Sequence, residues 1–77
     1  MKNYNITDPE DVRISTGLNN DYNVSLFQGS EWIGFSSHRF NADAIEITKM
    51  LQANTPIETI KDKIAFQNLT GRSELTK

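Results

Sequence analysis

The sequence predicts an α+β domain, in which a three-stranded antiparallel β-meander is followed by two short C-terminal helices packed on one face of the sheet. Three observations lead there. Between Val12 and Phe35 apolar residues alternate with polar ones, the period of two that half-buried strands show. From Ala44 to Ile64 the apolar spacing changes to three and four, the repeat of an amphipathic helix. The chain has 77 residues and no cysteine, so it supports one modest core with neither a disulfide framework nor a thiolate metal site.

Residues 1–10, ending in Thr7-Asp8-Pro9-Glu10, read as a polar N-terminal arm, residues 11–67 as the single domain, and residues 68–77 as a frayed C-terminal tail. In the first strand Val12, Ile14 and Thr16 alternate with Arg13 and Ser15; in the second Tyr22, Val24 and Leu26 alternate with Asn23 and Ser25. Gly17 to Asp21 between them is turn chemistry. A third strand, Glu31 to Ser37, follows Gln28-Gly29-Ser30-Glu31, where Gly29 supplies the positive φ of a two-residue hairpin. That turn pairs Leu26 with Ile33, Val24 with Phe35 and Phe27 with Trp32. For the first hairpin a three-residue loop, Asn19 to Asp21, is expected, pairing Thr16 with Val24, Ile14 with Leu26 and Arg13 with Phe27. A two-residue loop would set Ile14 against Ser25 and waste an apolar residue, since a slip of one position turns every side chain to the other face.

Asn41 is placed to cap a helix from about Ala42 to Ala53, with Ala44, Ile47 and Leu51 on its inner stripe. Thr55-Pro56-Ile57-Glu58 has the form of a capping box with proline in the first helical position, and it opens a second helix with Ile57, Ile60 and Ile64 inward. Only Asn54 and Thr55 separate the two, so a tight αα corner is expected.

Hydrophobic residues make up 36 % of the chain and charged ones 23 %, the balance of a folded globular domain. The formal charge of −2 argues against a nonspecific polyanion binder. No apolar run follows Met1, so no membrane contact and a cytoplasmic location are expected, and the three Asn-x-Ser/Thr triplets are read as chance. No nucleophile stands beside a base and no glycine-rich phosphate loop occurs, so no enzyme, no cofactor and no catalytic residue are expected. His38 reads as a solvated junction residue; with Asp43 and Glu46 it is the nearest approach to a metal set, but acidic residues at a helix start are explained by the dipole, and no metal is expected. Asp8, Glu10 and Asp11 lack the glycine and closing glutamate of a calcium loop.

The constellation that resists a bland account is the row Arg13, Phe27 and Trp32, on the sheet face turned away from the helices. Asn23 and Ser25 accompany it, with Ser15, Gly17, Gly34 and Ser36 as further small or polar neighbours. Trp, Phe and Arg are over-represented among residues that dominate binding energy. An internal cation–π and aromatic cluster is compatible with that role; the competing structural account is that the arm folds back through Tyr4 and Ile6 and covers the row.

The expected function is therefore a small non-catalytic protein-binding module, with Arg13, Phe27, Trp32, Asn23 and Ser25 as contact residues, that modulates or inhibits a larger partner or pairs with a second copy of itself. The composition is similar in style to small phage or mobile-element accessory proteins, inhibitors of host defence among them. The alternative is a sequence-specific DNA-binding domain using the same face, since a three-stranded sheet followed by a helix is similar in element order to AP2-like and integrase arm-binding domains. A helix-turn-helix is disfavoured, because the second helix exposes Glu58 and Asp62 beside Lys61 and Lys63.

Overall fold

The computed structural model describes residues 4–71 and 73–75. A turn of 3-10 helix at Pro9–Asp11 leads into β1 (Val12–Thr16), β2 (Tyr22–Gln28) and β3 (Glu31–His38), then α1 (Asn41–Gln52), α2 (Ile57–Gly71) and β4 (Glu74–Leu75). The sheet is antiparallel in the order β1-β2-β3-β4. The α+β class therefore holds, with four strands instead of three. β4 and the last turn of α2 fall within residues 68–77, the segment expected to fray. What the sequence signal lacked there is length: two residues carry no readable alternation, and β4 exists because Ser36 and Ser37 of β3 offer it an edge.

Both hairpins keep the expected faces, but neither keeps the expected register throughout. The β2–β3 turn has positive φ at both central residues, 58° at Gly29 and 71° at Ser30, the pattern whose twist matches the flanking strands. It sets Phe27 opposite Trp32, Leu26 opposite Ile33 and Ser25 opposite Gly34. Beyond that point the ladder shifts, and Val24 meets Ser36 instead of Phe35. Phe35 is thus an extra residue in β3, a β-bulge. Phe35 and Ser36 both turn inward, and both are buried.

In the first hairpin Ile14 pairs with Val24 and Arg13 with Ser25, a slip of two positions from the expected pairing. The loop is five residues, Gly17 to Asp21, closed by the Gly17 amide donating to the Asp21 carbonyl at 2.8 Å, with Asn20 in the left-handed region at φ 64°. Because side chains alternate with a period of two, a slip of two leaves every residue on its intended face.

One core lies between the sheet and both helices. Val12, Val24, Leu26 and Phe35 from the strands meet Ala44, Ile47 and Leu51 of α1 and Ile57, Ile60 and Ile64 of α2. The helix stripes are those the sequence spacing predicts; the bounds of α1 move by one residue, and α2 runs about one turn past the expected end of the domain. Phe40, not Asn41, holds the N-cap position of α1 and makes no side-chain capping bond; Asp43 in the first turn supplies the favourable charge. In α2 the Pro56 carbonyl accepts the amides of Thr59 and Ile60, at 3.0 and 3.2 Å.

The arm belongs to the core. Ile6 is buried, and the edge of the Tyr4 ring meets Phe35, with centroids 5.8 Å apart. Asn54, the pivot of the helix corner, holds the arm with both ends of its amide: Oδ1 accepts the Ile6 N–H, and Nδ2 donates to the Ile6 carbonyl at 2.9 Å. Gln52 donates to the Pro9 carbonyl beside it. Asn54 sits at φ 57°, so glycine at this position keeps the backbone and deletes only the clasp. Asn54→Gly is expected to lower unfolding free energy by about 1–2 kcal/mol and to open the arm to protease cleavage near Ile6, as read by urea denaturation and limited proteolysis. Unchanged stability and protection contradict the clasp.

Candidate functional site

The face turned away from the helices carries Arg13 and Ser15 from β1, Asn23, Ser25 and Phe27 from β2, and Trp32 and Gly34 from β3. Three of these touch. The Phe27 and Trp32 rings, directly opposite across the hairpin, have centroids 5.3 Å apart with planes tilted 55°. The guanidinium carbon of Arg13 lies 4.2 Å from the Trp32 ring centre. Arg13 stands opposite Ser25, and Ser25 opposite Gly34, so only a hydroxymethyl and a hydrogen lie along that row. These small side chains leave the long arginine room to cross β2 diagonally and reach the indole. The contact expected from Arg13 thus forms, although its cross-strand partner is Ser25 and not Phe27.

The patch is exposed. Trp32 keeps 39 % and Phe27 37 % of its surface accessible, even while the two rings shield one another. The described part of the arm does not cover it: Tyr4 and Ile6 lie on the helix side of the sheet, against Phe35 and Asn54. Among the described residues no carboxylate lies within ion-pair distance of Arg13; the ion pair they form is Lys63 with Glu46, at 3.3 Å on the helical side. A cationic group over an indole with no counter-charge is arranged to meet an anion or a π face from outside.

Two expectations change. Ser36 leaves the open face, because the bulge at Phe35 turns it inward, and Ser37 takes its place opposite Asn23. At that end of the sheet a polar concavity of about 460 Å³ is lined by Asn19, Asp21, Ser37, Arg39, Asn68 and Glu74. Exposed Phe66 and Leu69, three residues apart on α2, were not singled out from the sequence, since a helix with a complete inward stripe gives no sign that further apolar residues face water.

His38 is the larger correction. It is not a solvated junction residue but is buried at the end of β3, with Nε2 2.7 Å from the Ser36 hydroxyl. The bulge again decides this, by giving Ser36 and His38 the inward parity opposite Val24 and Tyr22. Around them Gln67 donates to the Asp43 carbonyl and the Glu46 carboxylate, and the buried Ser73 hydroxyl lies 3.5 Å from the Asp43 carboxylate. Ser36, His38 and an acidic neighbour resemble a nucleophile and its base in residue type, and Ser36 is fully buried. Among the described residues no cluster of three His, Asp or Glu is placed to hold a metal ion. This polar network ties β3, α1, α2 and β4 together.

Burial pushes the His38 pKa below its ordinary 6.5; the Asp43 carboxylate and a hydrogen bond with Gln67 act in the opposite direction without overcoming it. The unfolded chain therefore takes up the proton first. Stability from this site is full above the unfolded value of 6.5 and declines as pH falls through it toward the folded value. The urea midpoint is expected to drop between about pH 7.5 and about pH 5.5, with an imidazole pKa below the ordinary value by NMR titration. A raised imidazole pKa contradicts the burial argument.

No helix among the described residues is long and apolar enough to cross a membrane. No protein-family model, no curated protein and no solved structure matches the chain.

Proposed function

We propose that the chain is a non-catalytic protein-binding module that docks on a larger protein through its open sheet face and so modulates or inhibits that partner. The observation that carries this reading is the Arg13, Phe27 and Trp32 cluster, held in one geometry by mutual contact and left uncovered. Aromatic and arginine anchors are the residues whose truncation costs most at interfaces, and rings already fixed in place lose little further freedom on binding. Asn23 and Ser25 supply adaptable hydrogen bonds beside them. An inhibitor carried by a phage or mobile element is the setting that the composition suggests, with a second copy of the chain as the other partner of the same face.

A DNA-binding role for this face has less support. Asp21 and Glu74 stand with Arg39 at one end of it, and the chain as a whole carries a net charge of −2. Phosphate contacts need clustered cations, and among the described residues Arg13 is the cation in contact with the aromatic pair.

The test is capture of the partner from the native host, followed by titration with variants. Trp32→Ala and Arg13→Ala are each expected to weaken binding by about 30-fold or more, the scale of a truncated hot spot, with cooperative unfolding retained. Phe66→Ala, on the helical side, is expected to bind as the native chain does. Unchanged binding by the two patch variants contradicts the reading. A steep loss of affinity with salt, roughly 0.9 log units per log unit for each phosphate contact, with DNA as the captured species, replaces it by the nucleic-acid alternative.

A further inference from the structure

We infer that the chain forms a symmetric dimer in which β1 pairs antiparallel with β1 of a second copy, about a two-fold axis at Ser15, so that the two sheets become one. This interface is separate from the Arg13, Phe27 and Trp32 patch and does not depend on what that patch binds.

β1 is the first strand in the order β1-β2-β3-β4, and among the described residues no strand pairs with its outer side. Which of its backbone groups face outward follows from the first hairpin. The Gly17 N–H donates to the Asp21 carbonyl at 2.8 Å, so in the same register Ser15 with Asn23 and Arg13 with Ser25 exchange bonds. Val12, Ile14 and Thr16 therefore turn their main-chain groups to the outer edge. The Val12 N–H is already given to the Pro9 carbonyl. Among the described residues nothing bonds the N–H and C=O groups of Ile14 and Thr16. The chain outside the described residues attaches across the sheet from this edge. The arm runs from Pro9 beside Gln52, through Ile6 at Asn54, to Tyr4 against Phe35 of β3, so the residues before Tyr4 continue from the β3 side. Those three residues reach at most about 10 Å, against about 14 Å, three strand spacings, from β3 to a strand added outside β1. The other undescribed residues adjoin α2 and β4, beyond β3.

A second copy fits because the edge is its own complement. With the axis at Ser15, Ile14 stands opposite Thr16 of the second copy and Thr16 opposite its Ile14, and the two pairs exchange four bonds that satisfy all the free groups. On the open face Ser15 meets Ser15, and Arg13 meets Gly17, which has no side chain to oppose it. β1 carries neither the lysine nor the proline with which edges are commonly guarded, and its one charge, Arg13, is drawn inward over Trp32 of β3. The helix layer supplies apolar surface at the same seam. α1 packs on β1 and α2 on β4, so the flank of α1 turned away from α2 overhangs the β1 edge. Glu46 marks the α2 side through its ion pair with Lys63. Gln52 marks the opposite flank by reaching Pro9 just ahead of β1, and Ile45, seven residues earlier and so on the same flank, is exposed. The two-fold brings these flanks together beneath half-buried Ile14 and sets Leu18, fully exposed, level with Val12 of the second copy.

The experiment is sedimentation equilibrium of the full chain from roughly micromolar to millimolar concentration, where a reversible monomer–dimer equilibrium is expected. Thr16→Pro deletes an outward N–H and no hairpin bond, and Ser15→Lys sets like charges opposite one another at the axis. Each is expected to weaken the dimer at least about tenfold, with cooperative urea unfolding retained. A second measurement does not depend on those variants folding. The chain has no cysteine, and the axis puts the two Ser15 Cα atoms about 4.5 Å apart, within disulfide reach. Ser15→Cys is therefore expected to give a covalent dimer on oxidation with diamide at least about tenfold faster than Glu31→Cys, at an exposed position away from the seam. A single-chain mass at every concentration, a dimer that both edge variants leave intact, or equal crosslinking by the two cysteine variants overturns the inference.

Discussion

One extra residue in β3 is the constraint on which the rest of the structure depends. Up to Gly34 the even-numbered residues of that strand face the open side; past the bulge at Phe35 the odd-numbered Ser37 does, and Ser36 and His38 turn inward. A regular strand could give either an exposed Trp32 or a buried His38, but not both, because the period of two forbids it. The bulge resolves the conflict locally, at the cost of one interrupted rung in the ladder. It thereby joins two features that are distant in character, an open apolar and cationic patch at the turn end of the sheet and a closed polar network at the other.

The polar network follows from that parity. An imidazole and a hydroxyl placed in a low-dielectric interior must find partners, and a domain this small has few elements from which to draw them. Gln67 from α2, Asp43 from α1 and Ser73 ahead of β4 gather around them, so a cluster that is only modestly stabilising as hydrogen bonds also fixes where α2 ends and where β4 begins. At the opposite end the open side of the core is sealed by other means. There the arm crosses beneath the helix corner, and Asn54 grips its backbone while Ile6 adds apolar surface that a short chain can ill do without. The two ends of the core are thus closed by segments that read, by composition alone, as an arm and a tail.

Both ends of the helix side are closed in this way, and no described segment covers the other sheet face. Its centre is preorganised: Phe27 and Trp32 are locked opposite one another by a turn with both φ values positive, and the small residues Ser25 and Gly34 let Arg13 cross to them. Surface chemistry of this kind suits association with another chain. Ser36 and His38 are buried on the other side of the sheet.

What the sequence determined by itself is whatever depends on local periodicity. The two hairpins, the inward stripes of both helices and the face carrying Arg13, Phe27 and Trp32 were legible because alternation and helical spacing are written in adjacent residues, and even the two-residue slip of β1 left those faces intact. The tertiary structure decided what depends on contacts distant in sequence. Whether Tyr4 and Ile6 would cover the patch or the core was settled by Asn54, nearly fifty positions away in the chain, and β4 required an edge made by Ser36 and Ser37. The fate of His38 turned on a bulge that no residue type announces: Phe35 packs into the apolar core while Ser36, the next residue, turns inward to the His38 imidazole, and both contacts exist only once the layers have met.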